Sequence, residues 1–466
     1  MAIKQSIEYK SDKGYFAGFL QYLIDESGIV GSVAQENRSI TLMLDDSNQA
    51  KVQAFNEAVA KYLPHSIFMG EIRTEVVDAV IEPSTFESQD YPIAPCMACM
   101  ERLNTPSSEH YLDGNMLCDH YANLAQTRYE DSTIFSPHYS QGSTLLLTNA
   151  SKANELFILT SDELKALFSI EKPTIKVTIA DPTLQEMSGK KFIKIKAPYN
   201  NKSLLASINA KESEIDYLFF HAEQDLEAVV VQKNISLISN PHEKLERFNN
   251  DSVINRFSSI QKEEGFQNAI GCYLSTKGIC FVVANEVGVK RVIDYGAFDL
   301  AKVMEEFKSS VKRTKLMENF KEKYPSVVAV LESSEMGLYE SIATILELDE
   351  ISFEALSDKS YEFRGNGGLK IDTHFSEDGD FDYADFIGSI ISFKLAGVET
   401  HYLAYSIFEA LADMSISVCN QLKTKFKIEH FIMLGNLFGN SVLYSRVLSK
   451  FQLANPYFSP VIALDD

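Results

Sequence analysis

Three cysteines and a histidine constrain this chain more than any other feature: Cys96-Met97-Ala98-Cys99, then eighteen intervening residues, then Cys118-Asp119-His120. Two thiols separated by two residues reach one ion from a single tight turn, and a later Cys with a nearby His completes a tetrahedral site of the kind Zn²⁺ prefers. The spacing therefore predicts a small zinc-stapled module over residues 91–125, held by Cys96, Cys99, Cys118 and His120. The competing reading is three unrelated reduced thiols with Cys118 simply buried. For the fourth ligand, His110 and His138 compete with His120, and Tyr121 stands where a second Cys-x-x-Cys pair would end. A structural, closed site is expected, because catalytic zinc needs an open coordination position and a general base, and neither adjoins the cluster in sequence.

The other three cysteines, Cys272, Cys280 and Cys419, lie in apolar stretches. Six cysteines in 466 residues are too few for a disulfide framework, so a reducing, cytoplasmic setting is expected. The formal charge of −22 repels phosphate backbones and anionic bilayers, which argues against nucleic acid as a partner. The N-terminus alternates apolar and polar residues without an h-region, and no apolar run approaches the ~18 residues of a spanning helix, so no membrane insertion is expected.

Hydrophobic periodicity divides the chain. Residues 3–10 alternate as a strand, and Phe16, Phe19, Leu20, Leu23 and Ile24 follow at helical spacing up to Gly28. Strands over 30–33 and 40–44, a helix over 52–63 stopped by Pro64, and a strand over 68–75 complete a βαββαβ order, the split βαβ sandwich of ferredoxin type. From about 140 to 260, short strands alternate with short helices, as in an α/β domain. The last third opens with three strands over 269–293 and continues as helices, including a long apolar-striped one over 402–424. The fold class is thus α/β, of the α+β multidomain kind.

The order βαββαβ followed by a Cys-x2-Cys module resembles the start of the HypF carbamoyltransferases of NiFe-hydrogenase maturation: an acylphosphatase-like domain, then a zinc finger. In that family a loop Arg grips the acyl phosphate and an Asn in the hairpin orients the attacking water. The matching positions here hold Ala17 and Gln35. The resemblance therefore implies the fold without the activity, since a methyl group offers a phosphate no charged donor. The family carries two Cys-x2-Cys-x18-Cys-x2-Cys units, whereas this chain has one and lacks its final Cys.

Glu171-Lys172-Pro173, Ala197-Pro198-Tyr199 and Asn250-Asp251-Ser252-Val253-Ile254 resemble segments of the YrdC-like domain in which HypF makes carbamoyl-adenylate. Phe168-Ser169-Ile170-Glu171 stands where that domain has its basic cluster, so Lys172 reads more readily as a loop lysine than as a nucleotide contact. Met336-Gly337-Leu338-Tyr339-Glu340-Ser341-Ile342-Ala343 and the stretch from Phe431 through Gly435 to Asn440 resemble the TsaD-like, actin-type ATPase domain. A glycine after a buried strand lets a nucleotide approach the backbone, which marks Gly435; Asn440 reads equally as a helix N-cap. The family's His-x-x-x-His and Asp-Gly-Thr-Gly motifs do not occur in the chain. Asp465 is a possible ligand in an acidic end that otherwise reads as frayed.

The implied modules are acylphosphatase-like (1–85), zinc finger (91–125), degenerate YrdC-like (126–265) and partial TsaD-like (266–466). HydE-type accessory proteins resemble this pattern of retained order and lost anion-handling groups. It implies a binding protein that docks on a hydrogenase subunit or another maturation protein. The alternative is an active carbamoyltransferase that uses carbamoyl phosphate and ATP through Lys172, Gly435, Asn440 and Asp465. A third reading is a zinc-stapled scaffold unrelated to hydrogenases.

Overall fold

The computed structural model describes the chain except residues 37, 88–92, 122–131, 223–224, 244, 246, 248, 376–379, 452–455 and 466. Asn37 of the expected hairpin, residues 91–92 and 122–125 of the expected module, and Asp466 thus lie outside the described residues. The chain forms two compact units, Met1–His242 and Glu243–Asp466.

The first unit opens with β1 (Ala2–Tyr9), α1 (Tyr15–Ser27), β2 (Gly31–Glu36), β3 (Ser39–Asp45), α2 (Gln49–Tyr62) and β4 (Met69–Val77). This is the βαββαβ order that the periodicity predicts, and the antiparallel sheet runs β2-β3-β1-β4. Tyr15, Phe16, Phe19, Leu20, Leu23 and Ile24 form the buried stripe of α1, and Gly28 ends it in the left-handed region at φ +63°. Asn48 caps α2 by accepting the Lys51 N–H. On β3, Ile40, Leu42 and Leu44 are buried in alternation, the pattern of a sheet with one apolar face.

A seven-stranded mixed sheet follows: β5 (Thr144–Leu147), β6 (Phe157–Ile158), β7 (Thr174–Ile179), β8 (Phe192–Lys196), β9 (Tyr217–Phe220), β10 (Glu227–Val231) and β11 (Asn234–Ser239). Their order is β11-β10-β7-β8-β5-β9, with β6 on β7. Two of the connecting helices have strong starts. Ser161–Leu167 has a capping box between Thr160 and Glu163, and Pro182–Ser188 has Asp181 as N-cap with Pro in its first turn.

The second unit holds β12 (Ala269–Ser275), β13 (Gly278–Asn285), β14 (Gly288–Asp294) and β15 (Phe431–Leu434) in the order β14-β13-β12-β15, with β12 and β15 parallel. Helices fill the chain between β14 and β15, among them the 27-residue helix Thr400–Phe426. The helix Ser252–Glu264, which the sequence reading places at the end of the third module, packs in this unit's core. Phe257 lies so close to Gly271 of β12 that a Cβ there would meet its ring at 2.6 Å. Cys272, Cys280 and Cys419 are free and buried, as expected of core thiols. Among the described residues, no helix is long and apolar enough to cross a membrane.

Candidate metal centre

Cys96 is the N-cap of α3 (Met97–Asn104), where its Sγ accepts the Cys99 N–H at 3.5 Å. This first turn points both Cys96 and Cys99 to one side. The chain returns through a turn in which the Leu112 N–H donates to the Leu103 carbonyl, and then enters the short 3₁₀ segment Asp119–Tyr121. Cys118 and His120 arrive from there. One ligand atom from each of Cys96, Cys99, Cys118 and His120 lies within 4.8 Å of all the others, and all four residues are buried. His120 Nδ1 sits 3.0 Å from Cys96 Sγ and 3.8 Å from Cys99 Sγ. Its ring stacks on Tyr22 of α1, centroids 3.9 Å apart at 8°. Phe19 of the same helix packs on Tyr121. The cluster is thereby pressed onto the helix of the preceding sandwich.

Of the four candidates for the fourth position, the structure brings only His120 to the sulfurs. Tyr121 is buried, but its hydroxyl donates to the Ala94 carbonyl at 3.3 Å. His110 directs its ring nitrogens to Glu109 and Asp113, and His138 is exposed.

The charge balance is that of a site built for a cation. Hydrogen bonds from Cys118 and Cys99 hold the Cys96 thiol far below its ordinary value against the cost of burial, with His120 assisting. Cys99 is pulled down by its bond with Cys118, but its bond with Cys96 and burial outweigh that and push it up to about 12. Cys118 is driven well up by its bonds with Cys96 and Cys99 and by burial. Without a cation, Cys99 and Cys118 are thus held toward their protonated forms. A bound dication would replace the remaining thiol protons, and three thiolates plus an imidazole are a donor set for a thiophilic, four-coordinate ion. Burial, then Glu26 and Cys96, push the neighbouring Tyr22 hydroxyl up to about 12, so it stays neutral at physiological pH. Among the described residues, no other group of His, Cys, Asp and Glu is placed to hold a metal.

The residues considered for nucleotide binding are divided between the two units. Lys172 lies in the first unit, in the left-handed region at φ +49°, and its ammonium folds back onto the Phe168 carbonyl at 3.2 Å. Burial lowers it to about 8 although Glu171 favours its charge. In the second unit, Gly435 has φ +103°, and a Cβ there would meet the Leu274 carbonyl oxygen at 1.9 Å. The close approach that the glycine permits is therefore taken by the neighbouring strand's own backbone. Asn440 is fully buried: its Oδ1 accepts the Val442 and Leu443 N–H groups, and its Nδ2 donates to Ser357 and Ser360. It is the N-cap of Ser441–Lys450.

Asp465 is not frayed. It is buried and accepts from the Tyr273 hydroxyl at 3.0 Å, from Ser275, and from the Asn436 N–H at 3.4 Å, with Lys277 Nζ 3.4 Å away. It ties the chain end across the sheet. Sequence alone does not show this, because its partners lie up to 192 residues away.

The loop between β1 and α1, where the family resemblance places an anion cradle, is filled by the chain itself. Gln35 Nε2 donates to the carbonyls of Ser11 and Lys13 at 3.0 and 3.4 Å, and Ala17 is buried in α1. The Glu87 carbonyl oxygen lies 2.0 Å from where a Cβ on Gly14 would stand. A residue that the motif reading passed over proves central. Glu171, buried, accepts from the Tyr15 hydroxyl (2.8 Å), the Ser66 hydroxyl (2.6 Å) and the Ile67 N–H (3.0 Å), joining the turn before β7 to the first sandwich. Burial raises its pKa, and those three hydrogen bonds oppose the rise.

No family model matches the chain. Protein HydE of Wolinella succinogenes is 22% identical over 340 residues, which cover 64% of this chain and 62% of that protein. The chain thus spans about three fifths of the length of this curated relative. The crystal structure of T. kodakarensis HypF overlays on 100% of this chain and 97% of its own at a TM-score of 0.65, with 11% identity. A full-length HypF in its phosphate- and nucleotide-bound form overlays on 100% of this chain and 96% of its own, at 0.54 and 10% identity. At such low identity the overlays speak to architecture, and over its whole length this chain has the fold of HypF.

Proposed function

We propose that this chain is a cytoplasmic accessory factor of NiFe-hydrogenase maturation, a HypF-like protein that binds a hydrogenase subunit or another maturation protein and transfers no carbamoyl group itself. In this reading residues 1–85, 91–125, 126–265 and 266–466 descend from the acylphosphatase-like, zinc-finger, YrdC-like and TsaD-like modules. Cys96, Cys99, Cys118 and His120 hold a structural Zn²⁺, which would fix α3 and the following 3₁₀ turn against α1. The observation that carries the proposal is the HypF fold combined with a plugged anion loop, in which Ala17 replaces the charged donor and Gln35 and the Glu87 carbonyl occupy the space. The full use of Asn440 and Asp465 in structural hydrogen bonds supports it further.

The test is affinity capture of the zinc-loaded chain from cells making a NiFe hydrogenase. A hydrogenase subunit or maturation protein is expected among the retained proteins, and retention of neither would remove the proposal. The active-carbamoyltransferase alternative predicts carbamoyl-phosphate-dependent exchange of pyrophosphate into ATP, which on the present reading stays at background.

A further inference from the structure

The first sheet has two edges, and the chain treats them differently. Along β2, Thr85 bridges to Ala34: the Gln35 N–H donates to the Thr85 carbonyl at 2.8 Å, and the Thr85 N–H donates to the Val33 carbonyl at 2.9 Å. Along β4 no strand pairs with the outer edge among the described residues. That edge is nine residues long, carries no proline, and is exposed throughout its centre. Long open edges of this kind are templates for another strand.

The exposed side chains of β4 fall on two faces. Ile72, Thr74 and Val76 oppose Ile7, Gln5 and Ile3 of β1, which in turn oppose Ile40, Leu42 and Leu44, the buried row of β3. Ile72 and Val76 therefore extend the sheet's apolar face past its covered part, and they are 51% and 63% exposed. Glu71, Arg73 and Glu75 alternate on the other face with signs minus, plus, minus. Arg73 reaches Glu71 at 3.0 Å and Glu75 reaches Lys4 at 3.0 Å, both in the open and so contributing little.

From this pattern we infer that β4 pairs antiparallel with β4 of a second copy of this chain, about a two-fold axis at Thr74. In that register Ile72 lies opposite the other copy's Val76, twice, and Arg73 lies opposite its Glu75, twice. Both exposed apolar residues are covered and both charge pairs are attractive, whereas a shift of two residues that puts Arg73 opposite itself also sets Glu71 against Glu75. Two four-stranded sheets become one of eight, with their apolar faces on the same side. The inference is independent of the functional proposal above.

The full zinc-loaded chain is tested by sedimentation velocity from low to high micromolar concentration. The wild type is expected to pass from the mass of one chain to that of two. Arg73→Glu and Glu75→Arg each set two like-charge pairs in the interface and are expected to weaken dimerisation by about tenfold or more. An equimolar mixture of the two variants restores both attractive pairs and regains the two-chain mass. A wild type that stays at one chain throughout overturns the inference, as do variants that dimerise like the wild type or a mixture that associates no better than either variant alone. Far-UV circular dichroism equal to wild type confirms that each variant is folded.

Discussion

Replacing Glu171 by alanine leaves three buried donors facing a void: the hydroxyls of Tyr15 and Ser66, both bound to Oε1, and the Ile67 N–H, bound to Oε2. Hydrogen bonds to a charged acceptor contribute about 1.5–3 kcal/mol each, and the cost of burying the carboxylate offsets part of their sum. Each buried donor left unpaired costs about 1–3 kcal/mol, so with the relief of the carboxylate's burial a net loss of about 3–5 kcal/mol is expected. Glu171→Gln keeps an oxygen for Tyr15 and Ser66 but sets an NH₂ group against the Ile67 N–H, so its loss at neutral pH is smaller.

Both substitutions also remove a pH dependence. Because burial raises the Glu171 pKa in the folded state, the folded chain binds the proton more tightly than the unfolded one. Its contribution is complete below the unfolded value of about 4.3 and is lost as pH rises through the folded value. Both variants lack that slope, so their deficits relative to wild type shrink as pH rises across the window. The chain has no tryptophan, so hydrogen exchange of the α1 and β7 amides is the suitable assay, read as the local opening free energy. An alanine variant that loses less than about 1 kcal/mol would refute the assignment of Glu171 as the tie between the sandwich and the second sheet.

Two further outcomes follow from the geometry. The purified chain is expected to carry one zinc ion, by elemental analysis, and Cys118→Ala to abolish it and lower the melting temperature; apparent affinity falls on acidification because the thiols must lose their protons. Zinc retained at full occupancy by the alanine variant would contradict the four-ligand site. Gly435→Ala is expected to cost about 3 kcal/mol or more in the second unit, because its Cβ meets the Leu274 carbonyl and φ is +103°; a melting temperature equal to wild type would show that the backbone there yields.

Much of the architecture is legible in the sequence because it is encoded locally. The alternation in β3, the apolar stripe of α1 and the stop at Pro64 give the βαββαβ order directly. The Cys-x2-Cys turn likewise identifies its own chemistry. The fourth position is less legible, since sequence spacing leaves three histidines and Tyr121 in competition, and it takes the folded chain, with His120 stacked on Tyr22, to bring one ring to 3.0 Å from Cys96 Sγ. Glu171 and Asp465 are illegible for a related reason: their partners lie 104–156 and up to 192 residues away, and nothing near them in sequence marks burial. The family motif marks Lys172, whereas its neighbour Glu171 makes the buried contacts. At Gly435 the sequence signal of a close backbone approach is correct, but what approaches is β12.

The proposed role in maturation is tested most directly in cells that make a NiFe hydrogenase but lack this chain. Hydrogenase activity and the ligand content of the enzyme's iron site are both expected to fall, and both to return when the wild-type chain is restored. Hydrogenase of normal activity with a fully ligated iron site in those cells would contradict the account.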